Sequence, residues 1–189
     1  GIPAAYALAK LQVRGRSLWL VSLLFLSMFP AISNVGPLYL VFIRLGLRDS
    51  LLAVVMAHAV FSLPFAVWNL ASFFQEIPDD LYRAARVDGC SHLGVLRHVV
   101  LPLAAPGLLS VGLLVFIFSW NEFLYAFTLT ASPRSRTLPV AIALFPGVHE
   151  IPWGEISAAA ILATLPTVAL MLAFQRRIVS GLTAGAVKG

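Results

Sequence analysis

The sequence predicts an all-α, polytopic bundle of transmembrane helices, and three observations carry that reading. Sixty per cent of the residues are hydrophobic and only 11% are charged, where soluble domains carry about 25% charged residues. Mean hydropathy is +0.92. The charges that exist are gathered into islands: residues 17–43, 50–75 and 156–175 contain no Lys, Arg, Asp or Glu, and residues 98–133 contain only Glu122. Each run exceeds the roughly 18 apolar residues needed to cross a bilayer. Helices follow because a lipid-exposed segment must satisfy its own backbone hydrogen bonds, and no alternating strand pattern appears.

The elements come in this order. Residues 1–9 are apolar from the start and run into Lys10, Arg14 and Arg16, which reads as the end of a truncated helix with further spans upstream. A signal peptide would place its cations before the apolar stretch, not after it. Full spans are expected near 17–34, 51–74, 107–130 and 156–174. Between the first two, residues 34–50 contain Gly36, Pro37 and Gly46 and read as an external turn with a partly buried apolar stretch. A long loop, residues 76–106, separates the second and third spans. Residues 131–155 form an outer loop whose apolar centre, 138–145, is too short to span and either re-enters the membrane or folds against its outer surface. Residues 175–189 are a tail. The whole of 1–189 reads as one partial membrane domain, without internal repeats.

Orientation follows from cation counts, because Lys and Arg accumulate in cytoplasmic loops. Loops 10–16 and 76–106 with the tail hold Lys10, Arg14, Arg16, Arg83, Arg86, Arg97, Arg176, Arg177 and Lys188, which is nine of the 13 cations. Loops 34–50 and 131–155 hold the other four, Arg44, Arg48, Arg134 and Arg136. The first set is therefore cytoplasmic, and the net charge of +5 reflects topology rather than a nucleic-acid partner, which would call for a basic face on a soluble module. Cys90 is the only cysteine, so no intrachain disulfide forms, and the four histidines are too scattered to suggest a metal set.

The island at 76–106 is the most informative segment. Pro78 suits a first helical turn, and Asp79 and Asp80 suit the positive end of a helix dipole. Leu81, Ala84 and Ala85 then share a face, flanked by Arg83 and Arg86. Gly89 is able to end the helix in the left-handed conformation, and Ser91 to cap a second one carrying Leu93, Leu96 and Val100. Small alanines allow close approach to a groove on another protein. An ordinary amphipathic linker lying on lipid headgroups is the competing reading.

These residues also carry a resemblance. Ala84 and Ala85, Gly89 four residues on, and the close at Leu101 and Pro102 resemble the EAA loop of permease subunits of ATP-binding-cassette importers. Trp120-Asn121-Glu122-Phe123 and the tail Gly181 to Gly189 are similar to the second permease of the maltose and trehalose type. The resemblance covers essentially the whole chain. It implies the type I importer permease fold in a bacterial or archaeal plasma (inner) membrane. It also implies a heterodimer with a second permease, a pair of cytosolic ATPase subunits, and an external sugar-binding protein. Arg83, Ala84, Ala85, Asp88, Gly89, Leu101 and Pro102 would then form the ATPase-coupling site, and Thr183, Gly185 and Lys188 of the tail would touch the ATPases. The loop 131–155 would reach the sugar cleft of the binding protein. This chain would be no enzyme and bind no cofactor, ATP and magnesium being held by the partner. One departure stands out: the family's acidic residue before the alanine pair is Arg83 here, so the usual ion pair with the ATPase cannot form. Asp79, Asp80 or Asp88 would have to substitute, or the partner's charge be reversed.

Two polar groups lie inside expected spans. His58, Ser62, Asn69 and Ser72 are spaced to share one face of the second span, either lining a polar route for a hydroxyl-rich solute or gluing helices together. Asn121 and Glu122 in the third span pose the same choice, since a carboxylate there costs at least about 2.5 kcal/mol and needs a reason. Trp120 beside Asn121 invites sugar stacking, although interface anchoring explains the tryptophans equally well. A secondary transporter would need paired acids near the midplane, and Glu122 is the only acid available. A membrane enzyme would need clustered His, Asp or Glu. The nearer alternative is an importer permease for another solute, such as an amino acid, a peptide or a phosphonate.

Overall fold

In a computed structural model the chain is described over residues 1–145 and 151–184, with side chains as far as residue 175, and the described residues contain helices and no strand. The helices are α1 (Ile2–Lys10), α2 (Arg16–Ser27), α3 (Ala31–Arg44), α4 (Leu51–Glu76) and α5 (Asp79–Val87). They continue with α6 (His92–Leu103), α7 (Ala105–Trp120), α8 (Leu124–Leu129), α9 (Leu138–Ala143) and α10 (Trp153–Ala184). α4 and the Trp153–Gln175 part of α10 are each long and apolar enough to cross a membrane, and the pairs α2 with α3 and α6 with α7 reach that length together.

Packing resolves two compact units within the range expected to form one domain. The first comprises residues 1–28 and 63–115 and, from Ala173, the end of α10. Its core sets Ala5, Tyr6, Leu8 and Ala9 of α1 with Val67, Leu70, Ala71 and Phe74 of α4, together with Ala85, Val95, Leu96 and Val100. The α4 positions recur at three and four residues, which is one helical face. Alanines recur at the contact because lipid is as apolar as the helices, so close van der Waals approach rather than water exclusion holds them. Gly107 on α7 shows how close that approach is: a Cβ there would lie 2.6 Å from the Phe73 ring.

The second unit comprises residues 29–62 and 116–172. Phe42 of α3, Ala53, Val54 and Ala57 of α4, Tyr125, Ala126 and Leu129 of α8, and Val140 of α9 form its core. Phe61 stacks on Tyr125 with ring centroids 4.5 Å apart and planes 12° from parallel. The Tyr125 hydroxyl, carried into this core, donates to the carbonyl of Ala31 at 3.1 Å.

The helices depart from the sequence expectation at three places. The helix expected over 17–34 stops at Ser27 and restarts after Pro30, whose backbone is extended (φ −60°, ψ 128°), because proline has no N–H to carry the ladder on. The turn expected over 34–50 is mostly helix α3, which includes Gly36 and Pro37; Val35, Leu38, Tyr39 and Phe42 pack its apolar face into the second core. Packing outweighs the breakers there, and only residues 45–50 form the turn, with Gly46 (φ +69°) and Asp49 (φ +59°) left-handed. The helix expected over 107–130 is broken at residues 121–123, between α7 and α8. In the outer loop, the apolar centre becomes the short helix α9, with Val140 buried in the second unit.

Candidate functional site

The island at 76–106 folds as a braced helix-turn-helix. α4 ends at Glu76, two residues intervene, and α5 begins with Asp79 and Asp80 in its first turn. Its end has paired return bonds: the Gly89 N–H donates to the Arg86 carbonyl at 3.2 Å and the Cys90 N–H to the Ala85 carbonyl at 3.0 Å. That arrangement needs a left-handed residue after the cap, and Gly89 has φ +86° with no atom within 4 Å of where a Cβ would stand. Ser91 then caps α6, its hydroxyl accepting from the Gly94 N–H at 3.1 Å. Arg86 Nη1 donates to the Cys90 carbonyl at 2.5 Å, and the Tyr82 hydroxyl lies 2.8 Å from His92 Nδ1. α6 carries a wider turn over Leu96–Val100 and meets α7 at a bend of 81° after Leu103.

The two alanines are divided between the faces of α5. Ala85 is buried in the first core, whereas Ala84 is exposed with Leu81, Arg83 and Val87, the last 87% exposed. Arg83 lies 3.9 Å from Asp80, and both side chains are in solvent, a geometry that contributes little. Asp88 is exposed and caps α5. Leu101 packs against the first core and Pro102 is exposed in α6.

Lys10 was not foreseen as part of this region. Its ammonium donates to the Ile77 carbonyl at 2.5 Å and to Asp79 Oδ1 at 2.7 Å, across more than 60 residues of sequence, and its side chain is 3% exposed. This hydrogen bond and the lysine's charge hold the Asp79 carboxyl below the usual carboxylate range. Nothing local in the sequence distinguishes Lys10 from Arg14 or Arg16, so only the fold reveals it.

The polar residues within the apolar helices have separate fates. His58 Nε2 lies 3.0 Å from Glu122 Oε2, with both side chains largely buried in the second unit. Glu122 also accepts from the Tyr125 N–H at 2.8 Å and the Ala126 N–H at 3.1 Å, the free donors of the α8 N-terminus. Asn69, Ser72 and Asn121 instead bond to the carbonyl four residues back on their own helices, those of Phe65, Trp68 and Ile117, and Ser62 is half-buried. Trp120 Nε1 donates to the Ala163 carbonyl at 2.9 Å. Of the stripe read from the sequence, only His58 is brought to Glu122.

A further cluster orders the segment that follows α8. Asp49 Oδ1 accepts from the Ala131 N–H at 2.7 Å, from the Ser132 N–H at 2.9 Å and from the Ser135 hydroxyl. These donors, the Ser132 N–H foremost, hold the Asp49 carboxyl far below the usual carboxylate range. Among the described residues no group of three or more His, Cys, Asp or Glu is placed to hold a metal. The tail contacts expected of Gly185 and Lys188 lie outside the described residues, as does the side chain of Thr183.

The architecture and the site now stand beside known proteins. Residues 1–184 match the family described as binding-protein-dependent transport system inner membrane component. The chain is 48% identical over 187 residues to a trehalose/maltose transport system permease protein of Thermococcus litoralis, covering 98% of this chain and 67% of that one. It is 47% identical over 191 residues to a trehalose transport system permease protein of Mycobacterium tuberculosis, covering 100% and 70%. A crystal structure of a bacterial ABC transporter involved in the import of the acidic polysaccharide alginate superposes with a TM-score of 0.78 at 26% identity, over 93% of this chain and 66% of that one. The chain thus spans about two thirds of the length of these relatives. Helical throughout its described residues, with helices apolar enough to cross a bilayer, the chain belongs to the family of binding-protein-dependent transport system inner membrane components.

Proposed function

We propose that this chain is a permease subunit of an ATP-driven, binding-protein-dependent sugar importer, in which the α5 turn is the contact to a cytosolic ATPase pair. A second permease would complete the pathway, and an external sugar-binding protein would deliver the solute. The observation that carries the reading is the build of α5: one face is locked into the first core through Ala85, and the other presents Leu81, Arg83, Ala84 and Val87. A helix held rigidly on one side and exposed on the other is suited to transmit a push from a partner to the helices behind it. The names of the two relatives support sugar as the solute class.

Closure of the ATPase pair on ATP would move α5, and α6 and α7 would follow through the bend at Leu103. Hydrolysis in the partner would reverse the motion, so this chain needs no catalytic group of its own. The solute would bias the cycle only by differential binding, through the loaded binding protein. Arg83, in place of the family's acid, would meet a carboxylate on the ATPase, because its own Asp80 contact is too long and too exposed to occupy it. Asp79 is engaged by Lys10, which leaves Asp80 and Asp88, both exposed, as the acids free to take a cation of the partner. His58 and Glu122 are better supported as a clamp on the break in the third span than as solute ligands, since each Glu122 oxygen already accepts a hydrogen bond.

The test is reconstitution of the complete transporter in proteoliposomes with single cysteines at Val87 and on the ATPase surface, Cys90 being replaced by serine. A Val87 crosslink that forms and varies with nucleotide, together with sugar uptake that requires the binding protein, is the expected result. Uptake of an amino acid or peptide instead of sugar would overturn the solute class. A Val87 cysteine reactive only from outside the vesicle would overturn the topology and the coupling role together.

A further inference from the structure

Three helix ends meet at a single buried charge. Lys10 is the last residue of α1, Ile77 follows the last residue of α4, and Asp79 is the first of α5. The Lys10 ammonium contacts the Ile77 carbonyl and the Asp79 carboxylate together, at 2.5 and 2.7 Å. The bonds suit each helix end, since the negative C-terminal ends of α1 and α4 favour the Lys10 cation and the positive N-terminal end of α5 favours the Asp79 carboxylate. Ile77 is itself buried, and the joint between α4 and α5 is only Ile77 and Pro78, the latter with its φ fixed by its ring.

One side of this joint is open. A polar cavity of about 590 Å³ lies against it, lined by Lys10, Arg16, Ser72, Gln75, Glu76 and Asp79 along with Ala9. Away from the cavity α1 is packed solid, with Ala5, Tyr6 and Leu8 in the core. A buried ammonium is costly unless it is paired and directionally bonded. An apolar side chain of the same length would fill the space at Lys10 more cheaply, but it would not tie α1 to the start of α5.

We propose that Lys10 is a positioning residue for transport: it fastens α1 to the α4–α5 joint, so that displacement of α5 drags α1 with it. The proposal rests on α5 being the ATPase contact, and it names the element to which the push is passed. Without the tie, α5 and α1 would be joined only by apolar packing in the shared core, and more ATP would be hydrolysed for each movement of α1.

The complete transporter in proteoliposomes, with its ATPases, second permease and binding protein, tests this with Lys10→Met, Lys10→Arg and Asp79→Asn. The quantity read is solute imported per ATP hydrolysed, alongside the Val87 crosslink to the ATPase. Lys10→Met is expected to keep the crosslink and the basal ATPase rate while import per ATP falls by about fivefold or more, the scale on which single contacts modulate coupling between sites. Lys10→Arg is expected to restore most of it, because a guanidinium reaches the same two acceptors. Wild-type import per ATP in Lys10→Met would overturn the proposal. If Lys10→Met does not assemble, Asp79→Asn decides: Asp79 is 65% exposed, so the core is left intact while the ion pair that carries the tie from α1 to α5 is removed, and undiminished coupling there also overturns it. Absence of the Val87 crosslink with Lys10 and Asp79 intact would overturn the α5 reading itself, a result distinct from an intact crosslink with normal coupling.

Discussion

His58 reaches Glu122 across 64 residues of sequence, Nε2 to Oε2 at 3.0 Å, and the same carboxylate caps the first turn of α8. One side chain therefore supplies the bonds that make the break between α7 and α8 at residues 121–123 tolerable. The broken helix leaves N–H groups of Tyr125 and Ala126 without carbonyl partners, and within a bilayer water is not at hand to satisfy them.

Glu122→Ala should cost about 3 kcal/mol, since it removes the cap and leaves His58 buried without its partner. Glu122→Gln should cost clearly less, because its amide oxygen still accepts from the α8 N-terminus. Thermal unfolding of the detergent-solubilised protein measures both. Equal losses for the two variants would show that the cap contributes nothing.

Asp49 holds the segment that follows α8. Because its carboxyl is held below the ordinary range when folded, its contribution is fully present above the unfolded carboxylate pKa of about 4 and is lost as pH falls through the lower folded value. Trypsin cleavage at Arg134 and Arg136 should therefore be slow at neutral pH in the native protein and faster in Asp49→Asn. Identical cleavage rates would mean the three bonds to Asp49 do not order the loop.

Gly89 is needed for its backbone, not for space. No atom stands within 4 Å of a Cβ there, so the cost of replacement is the strain of φ +86° alone, about 1 kcal/mol for Ala and more for a β-branched residue. Transport by the reconstituted complex should decline in the order Gly, Asn, Ala, Val. A ranking by side-chain volume, with Asn below Ala, would point to a clash with a partner instead.

Gly107 is the opposite case. A Cβ at 2.6 Å from the Phe73 ring forces either the ring or the helix to shift, and Gly107→Ala should destabilise the protein by about 1 to 3 kcal/mol. Phe73→Leu should recover much of that in the double variant, because neighbours that share a contact are not additive. Additive losses, measured as midpoints of thermal unfolding, would argue that the two residues do not meet.

The membrane class, the helical fold and the α5 turn were legible in the residues themselves, each for a local reason. Apolar length sets what a bilayer accepts. Pro78, Asp79, Gly89 and Ser91 each favour a backbone conformation that needs no distant partner; Asp79, Gly89 and Ser91 occupy the places the sequence assigned, whereas Pro78 stands just before the first turn, as the N-cap of α5 (ψ 133°). Long-range pairing was not legible. Lys10 with Ile77 and Asp79, Asp49 with residues 131–135, and His58 with Glu122 each join positions more than 60 residues apart, and no periodicity along the chain encodes such a meeting. The division of Ala84 from Ala85, the helix through Gly36 and Pro37, and the break at Glu122 were likewise decided by tertiary packing. Local propensity disfavours the helix by about 1 kcal/mol at Gly36 and about 3 kcal/mol at Pro37, and burial of a face such as Val35, Leu38, Tyr39 and Phe42 outweighs it.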